Sequence, residues 1–165
     1  MSQSKEKIAI VGSGAMGTGI AQVAATNGHD VCVYDANEES MDRSSESLKK
    51  IMNRLVEKGK LTQDRASDIL SRITYCQSID KLSESKLVIE AIVEDLEVKK
   101  NVFSHLEIIT DDDTILATNT SSLSIASICS ACTNPGRVLG IHFFNPAPLM
   151  PLVEIIPAVQ TSGET

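Results

Sequence analysis

The sequence predicts an α/β fold, with a mostly parallel sheet, helices on both faces and a helical hairpin inserted after an early strand. Three observations carry that expectation. Short apolar, β-branched runs alternate with segments of helical spacing along the chain. A glycine-rich hexapeptide, residues 12–17, joins the first such run to the first helical segment. An aspartate, Asp35, closes the second run. Strands that alternate with helices pair in parallel and bury both faces of the sheet.

The elements follow in order. Lys7–Val11 is a short apolar run that stops at Gly12, as a buried parallel strand does. Ala15 to Asn27 has helical spacing, with Ile20, Val23 and Ala24 on one face and Gly28 as its stop. Val31 to Tyr34 is the second strand. Over residues 38–58, Met41, Leu48, Ile51, Met52, Leu55 and Val56 make a long amphipathic helix closed by Gly59. Thr62 can cap a second helix to Ser71, and Ile73–Cys76 reads as a short strand. Leu87–Ala91 and Thr114–Ala117 are further strands, separated by a helix over Leu96–Ile109. Ser124–Cys129 is a short helix, and Val138–Ile141 and Val153–Ile156 are late strands.

A chain of 165 residues suits one domain, 1–165. Its 15 basic and 22 acidic residues give a net charge of −7, which argues against general nucleic-acid binding. No apolar run approaches the ~20 residues of a membrane helix. Residues 1–7 are too polar for a signal peptide, so the expected location is inside the cell, in the cytoplasm. Four sparse cysteines, Cys32, Cys76, Cys129 and Cys132, then read as reduced thiols. Cys129 and Cys132 form a C-x-x-C with no second pair and no histidine at metal spacing, so a buried helix end is expected and no metal. Asp111, Asp112 and Asp113 read as a solvated loop.

Gly12-Ser13-Gly14-Ala15-Met16-Gly17 is a G-x-G-x-x-G in the context it requires, after a strand and opening a helix. Gly12 permits the turn, Gly14 lets backbone approach a pyrophosphate, and Gly17 lets helix and strand pack closely. Asp35 stands 21 residues after Gly14. A carboxylate there accepts both adenosine ribose hydroxyls and repels a 2′-phosphate, which favours NAD over NADP. These features define a Rossmann-type, doubly wound fold. A tight strand–helix turn followed by a chance aspartate is the plainer alternative.

Two further features carry chemistry. In Gly140-Ile141-His142-Phe143-Phe144-Asn145-Pro146, His142 sits near a strand end, and Glu154 follows twelve residues later. A histidine oriented by a carboxylate is a candidate general base, and two adjacent strands would supply the pairing; a lone structural histidine is the alternative. Residues 49–72 hold seven of the 15 basic residues. Lys50, Arg54 and Lys58 are four apart on one helical face. A solvated face explains them, but clustering in an acidic chain suits an anionic ligand better.

With these motifs on view, the chain resembles the NAD-binding domain of the L-3-hydroxyacyl-CoA dehydrogenases, including the short-chain 3-hydroxybutyryl-CoA enzymes. The likeness spans nearly the whole chain. It rests on residues 12–17 with Gly19-Ile20-Ala21-Gln22, on Leu87–Glu94, on Ala117-Thr118-Asn119-Thr120-Ser121-Ser122-Leu123, on His142–Pro146 and on Pro151–Glu154. The resemblance implies an NAD-dependent oxidoreductase of fatty acid β-oxidation or butanoate metabolism, in the cytoplasm or a mitochondrial matrix. It implies His142 as catalytic base, Glu154 as its electrostatic partner, and Ser121 as a hydrogen-bond donor to the substrate oxygen. Glu94, Lys99, Ser121 and Asn145 would line the cofactor, and the basic hairpin with Lys58 would meet the CoA nucleotide.

Plainer readings exist for each. Glu94 and Lys99 fit a solvated helix start, Ser121 or Ser122 fits a cap on the short helix, and Asn145 before Pro146 fits a turn. A dehydrogenase of a free small 3-hydroxy acid and a catalytically silent nucleotide-binding module are the alternative functions. The family's C-terminal helical domain, which supplies dimer contacts and a cover for the substrate, is expected to lie outside this chain. Its loss would leave an apolar face open to self-association.

Overall fold

The computed structural model describes residues 6–165; residues 1–5, part of the polar start read above, lie outside the described residues. The elements run β1 (Ile8–Val11), α1 (Ala15–Thr26), β2 (Val31–Tyr34), α2 (Glu38–Glu57), α3 (Gln63–Ser71), β3 (Ile73–Tyr75), β4 (Leu87–Glu90), α4 (Leu96–Ile109), β5 (Ile115–Thr118), α5 (Ile125–Cys129), β6 (Val138–Phe143) and β7 (Val153–Pro157). Short 3-10 turns at Ile79–Leu82 and Pro135–Arg137 complete the connections.

The strands form one sheet in the order β3-β2-β1-β4-β5-β6-β7. β1 to β6 are parallel and β7 returns antiparallel to β6. The chain builds outward from β1 in both directions, so a crevice opens beyond the carboxyl ends of β1 and β4. Alternation along each strand feeds two cores. Ile8, Ile10, Val31, Val33 and Ile89 face α1 and the α2–α3 hairpin, and Ala9, Val11, Val88 and Leu116 face α4 and α5. Phe103 and Leu106 of α4 and Leu48 and Met52 of α2 are buried by those layers. The doubly wound fold is the predicted one.

Side-chain caps fix both helix starts of the hairpin, the one at Thr62 as read and the one at Asn37 seen only in the structure. Asn37 caps α2 by accepting from the Ser40 N–H, with Glu38 and Glu39 in the first turn. Thr62 caps α3 by accepting from Arg65 N–H. β6 runs past the expected Ile141 to Phe143, which puts His142 within a paired strand rather than beyond it.

One expectation fails. Cys32 and Cys76 are joined in a disulfide. β2 and β3 are parallel neighbours, and Cys76 directly follows β3, so both side chains enter the same core layer. A separation of 44 residues hides that proximity from the sequence.

Candidate active site

The glycine loop leaves β1 at Gly12, whose φ of +103° is costly for any side-chain-bearing residue. A Cβ at Gly17 would lie 1.8 Å from the Gly12 carbonyl oxygen, so α1 packs on the turn only with glycine there. At Gly14 a Cβ would meet nothing within 4 Å. The fold leaves room for a side chain there, and glycine keeps the loop backbone open to close approach. Gly14 is also the N-cap of α1 and offers no side-chain cap bond. The first-turn N–H groups and the positive helix end are left for an anion, as a pyrophosphate cradle requires.

Asp35, at the end of β2, braces this loop. Its Oδ2 accepts from Ser13 N–H at 2.7 Å and from Ser13 Oγ at 2.9 Å, and its Oδ1 accepts from Asn37 N–H at 2.9 Å. A carboxylate offers about four acceptor positions, and the rotatable Ser13 hydroxyl is the contact a ribose hydroxyl would replace. The carboxylate thus fits the ribose and shapes the phosphate turn together.

The loop after β4 carries a polar network that sequence reasoning only half found. The Lys99 ammonium lies 2.6 Å from Glu90 Oε1 and 3.3 Å from Glu94 Oε2. The Lys99 and Glu90 side chains are 1% and 0% exposed, which rules out a solvated face for Lys99. Glu90 also accepts from Thr118 Oγ1 and Ile92 N–H, both at 2.7 Å. Removing two charges from water costs more than such a pair returns in stability, so this pair is better read as fixing geometry. What it fixes is Glu94, which accepts from the Thr120 hydroxyl and from the N–H groups of Ser121 at 3.1 Å and Ser122 at 3.3 Å. Burial acts to raise the Glu94 pKa, but Thr120, Lys99 and the Ser121 N–H outweigh it and hold the group below its usual value. The cap on α5 is Ser124, not Ser121 or Ser122. The sequence signal for the missed Glu90 is a lone acid inside the apolar run Leu87–Ala91.

His142 and Glu154 are direct cross-strand partners on β6 and β7, with Nδ1 2.8 Å from Glu154 Oε2. An ionised carboxylate only accepts, so Nδ1 carries the hydrogen, and in the neutral ring Nε2 is then the acceptor. The His142 ring packs at 4.7 Å from that of Phe144. Asn119, another missed residue, accepts from Phe143 N–H at 2.8 Å and ties β6 to the end of β5. His142 opens onto a cleft of about 340 Å³ with Met16, Glu94, Lys99, Ser121 and Asn145 in its walls. The structure therefore gathers the predicted base, its partner and the four predicted cofactor-lining residues at one place.

A second groove, about 810 Å³, runs from Ser13, Gly14 and Ala15 along α2. Arg54 and Lys58 line it, joined by Lys60 of the same basic cluster and by Arg43, which lies outside that cluster. Lys50 does not line it; it points to solvent 3.9 Å from Glu46, one turn back on α2. Each helical step of four drifts by about 40° around the axis, so Lys50, two steps from Lys58, leaves the face. Asn145 borders both clefts, and its peptide bond to Pro146 is cis.

Cys129 ends α5 in the core, as expected. Burial raises both thiols, and Cys132, with Glu107 beside it, is pushed up to about 11. Neither is a thiolate near neutral pH. Among the described residues no group of three or more His, Cys, Asp or Glu is placed to hold a metal, and no helix is long and apolar enough to cross a membrane.

A glycine cradle at the switch point, an acidic residue after β2 and an oriented histidine define a dinucleotide-binding domain of an oxidoreductase. Comparison places it more narrowly. Residues 7–165 match the family described as "3-hydroxyacyl-CoA dehydrogenase, NAD binding domain", and the chain belongs to that family. It is 45% identical over 159 residues to a 3-hydroxybutyryl-CoA dehydrogenase of Clostridioides difficile, covering 96% of this chain and 57% of the relative. A 3-hydroxyadipyl-CoA dehydrogenase of Escherichia coli K12 is 44% identical, over 96% of this chain and 34% of its own length. The crystal structure of (S)-3-hydroxybutyryl-CoA dehydrogenase from Ralstonia eutropha superposes with a TM-score of 0.94 at 36% identity, covering 98% of this chain and 57% of that one. The chain thus spans little more than half the length of such relatives, or less.

Proposed function

We propose that this chain is the cofactor half of an NAD-dependent L-3-hydroxyacyl-CoA dehydrogenase. It oxidises a short-chain substrate such as 3-hydroxybutyryl-CoA to the 3-ketoacyl thioester, or reduces the ketone in reverse. The observation that carries this reading is the Glu154-oriented His142, which lines the cleft beside the glycine loop. NAD, when bound, supplies the hydride acceptor. Gly12, Ser13, Gly14, Ala15, Met16 and Gly17 would hold its pyrophosphate, Asp35 its ribose, and Glu94, Lys99, Ser121 and Asn145 the nicotinamide end.

The proton side of the reaction belongs to His142. Nε2 takes the proton of the substrate 3-hydroxyl, and the ring becomes an imidazolium beside the Glu154 carboxylate, which offsets the new charge. In the reverse direction the same atom protonates the forming alkoxide. Ser121, on the cleft wall, donates its hydroxyl hydrogen to that oxygen. Arg54 and Lys58, with Arg43 and Lys60, hold the anionic end of the CoA in the second groove. The relatives' names differ in the acyl group and share the 3-hydroxyl and the CoA, the two parts these clefts address.

The helical domain implied by the family supplies the cover over the acyl end and the dimer contacts. The activity belongs in the cytoplasm, or in the mitochondrial matrix of a eukaryote, where NAD and CoA thioesters meet. Calorimetric titration with NADH and then acetoacetyl-CoA tests the reading: both bind, and free acetoacetate does not replace the thioester. Binding of free acetoacetate as strong as that of the thioester would point to a dehydrogenase of free hydroxy acids. NADH binding with no binding of either would leave a nucleotide-binding module.

A further inference from the structure

A buried chain of hydroxyls runs from the edge of the sheet to the glycine loop. Thr18 Oγ1 lies 3.0 Å from the Ser13 carbonyl oxygen and 2.8 Å from Ser44 Oγ, which lies 2.8 Å from the Tyr75 hydroxyl. Thr18 and Ser44 are 8% and 4% exposed. The direction of every bond follows from counting protons. A carbonyl only accepts, so Thr18 gives its one hydrogen to Ser13. Thr18 then accepts from Ser44, and Ser44 accepts from Tyr75. Burial raises the Tyr75 pKa, with the Ser44 contact opposing it, so the first donor keeps its proton at neutral pH. Ser44 is otherwise an anomaly, a polar residue in the buried stripe Met41, Leu48 and Met52 of α2.

The end of the chain is the peptide that matters for an anion. The bond between Ser13 and Gly14 is trans, so its C=O and N–H point opposite ways. Holding the Ser13 oxygen against α1 aims the Gly14 N–H away from Thr18. The preceding N–H, of Ser13, is held by Asp35. The two peptide planes of the turn are thereby fixed from two sides.

We propose that Thr18, Ser44 and Tyr75 are positioning residues for the dinucleotide, which hold the Ser13–Gly14 peptide in its anion-receiving orientation and tie the turn to α2 and β3. This rests on the NAD reading above. The test is NADH titration by fluorescence, with thermal midpoints measured in parallel. Thr18→Val keeps the side chain's shape and removes the hydroxyl; NADH affinity should fall about 5–30-fold, the range for a buried acceptor left without its donor. Thr18→Ser restores the donor and should return affinity to within about threefold of wild type. Ser44→Ala should weaken NADH by about 3–10-fold. Combined with Thr18→Val it should add no more than about twofold, because Ser44 acts through Thr18.

Lower thermal midpoints with unchanged NADH affinity would make the chain a packing feature and overturn the proposal. So would losses that multiply in the double variant. Should Thr18→Val fail to fold, Ser44→Ala decides alone, and affinity within about twofold of wild type overturns the proposal. A wild-type chain that binds no NADH removes the reading and the proposal together, whereas normal wild-type binding with unaffected variants removes the proposal only.

Discussion

At His142 a single hydrogen bond orients the ring. With Nδ1–H committed to Glu154, the neutral ring has Nε2 as its only acceptor. Glu154→Gln should keep the ring in place through the amide oxygen and lose the charge that balances the imidazolium. Turnover in an active two-domain form should fall at least about tenfold with NADH affinity unchanged; a parallel loss of NADH binding would show that Glu154 shapes the cofactor site instead. Asp35 sets a second prediction. Its carboxylate repels a 2′-phosphate, so measured dissociation constants should favour NADH over NADPH by at least about tenfold, roughly 1.4 kcal/mol. Equal affinities would remove Asp35 from cofactor selection. His142, Glu154 and Asp35 were legible in the sequence because each stands at a strand end or at a fixed distance from a glycine motif. Glu90, Thr118 and Asn119 were not, because their meaning lies in partners 9, 28 and 24 residues away, across strand and helix boundaries.

At the scale of elements, the α2–α3 hairpin divides its basic residues between groove and solvent. Arg54→Gln with Lys58→Gln should weaken CoA binding and flatten its salt dependence, whereas Lys50→Gln should change neither. Equal effects of all three would mean that net charge, not the groove, attracts the ligand. The disulfide between Cys32 and Cys76 ties the edge strand β3 to β2. Closing a loop of 44 residues stabilises by about 2–4 kcal/mol, so a reductant should lower the thermal midpoint by several degrees; no shift would mean that β3 is held by its ladder alone. Element positions were readable to within a residue or two, since strand alternation and caps are local signals. Which strands lie side by side is a property of the folded sheet, and for that reason the cysteine pair was missed while His142 and Glu154 needed β6 and β7 to meet.

Over the whole molecule, one surface differs from the rest. Leu149, Leu152, Ile155 and Val159 are 78%, 54%, 61% and 92% exposed on and around the free edge at β7. Residues 1–165 studied alone should self-associate through this apolar face, seen as a concentration-dependent mass in sedimentation. Acid stability follows from Glu94 and Glu107, both held below their usual pKa of 4.5 against the opposing pull of burial, Glu107 by the N–H groups of Thr133 and Asn134. Groups lowered in the folded state contribute stability that is present above their unfolded pKa and lost as pH falls through the folded one. The thermal midpoint should stay level from neutrality to about pH 5 and drop below the ordinary carboxylate range; a midpoint that rises on acidification would contradict the geometry at both sites. The central proposal is that His142 is the proton-transfer group of the dehydrogenase reaction. Residues 1–165 assayed alone should turn over at least about a hundredfold more slowly than the same residues joined to the remaining portion of one of the longer relatives, about 2.7 kcal/mol of barrier, because a cleft open to water has weaker electrostatics. The decisive measurement is the steady-state rate of acetoacetyl-CoA reduction by NADH, for wild type and His142→Gln, in this chain joined to the remaining portion of a 3-hydroxybutyryl-CoA dehydrogenase relative. A fall of about 10²–10⁴-fold with NADH affinity intact is the predicted result, and an unchanged rate would contradict it.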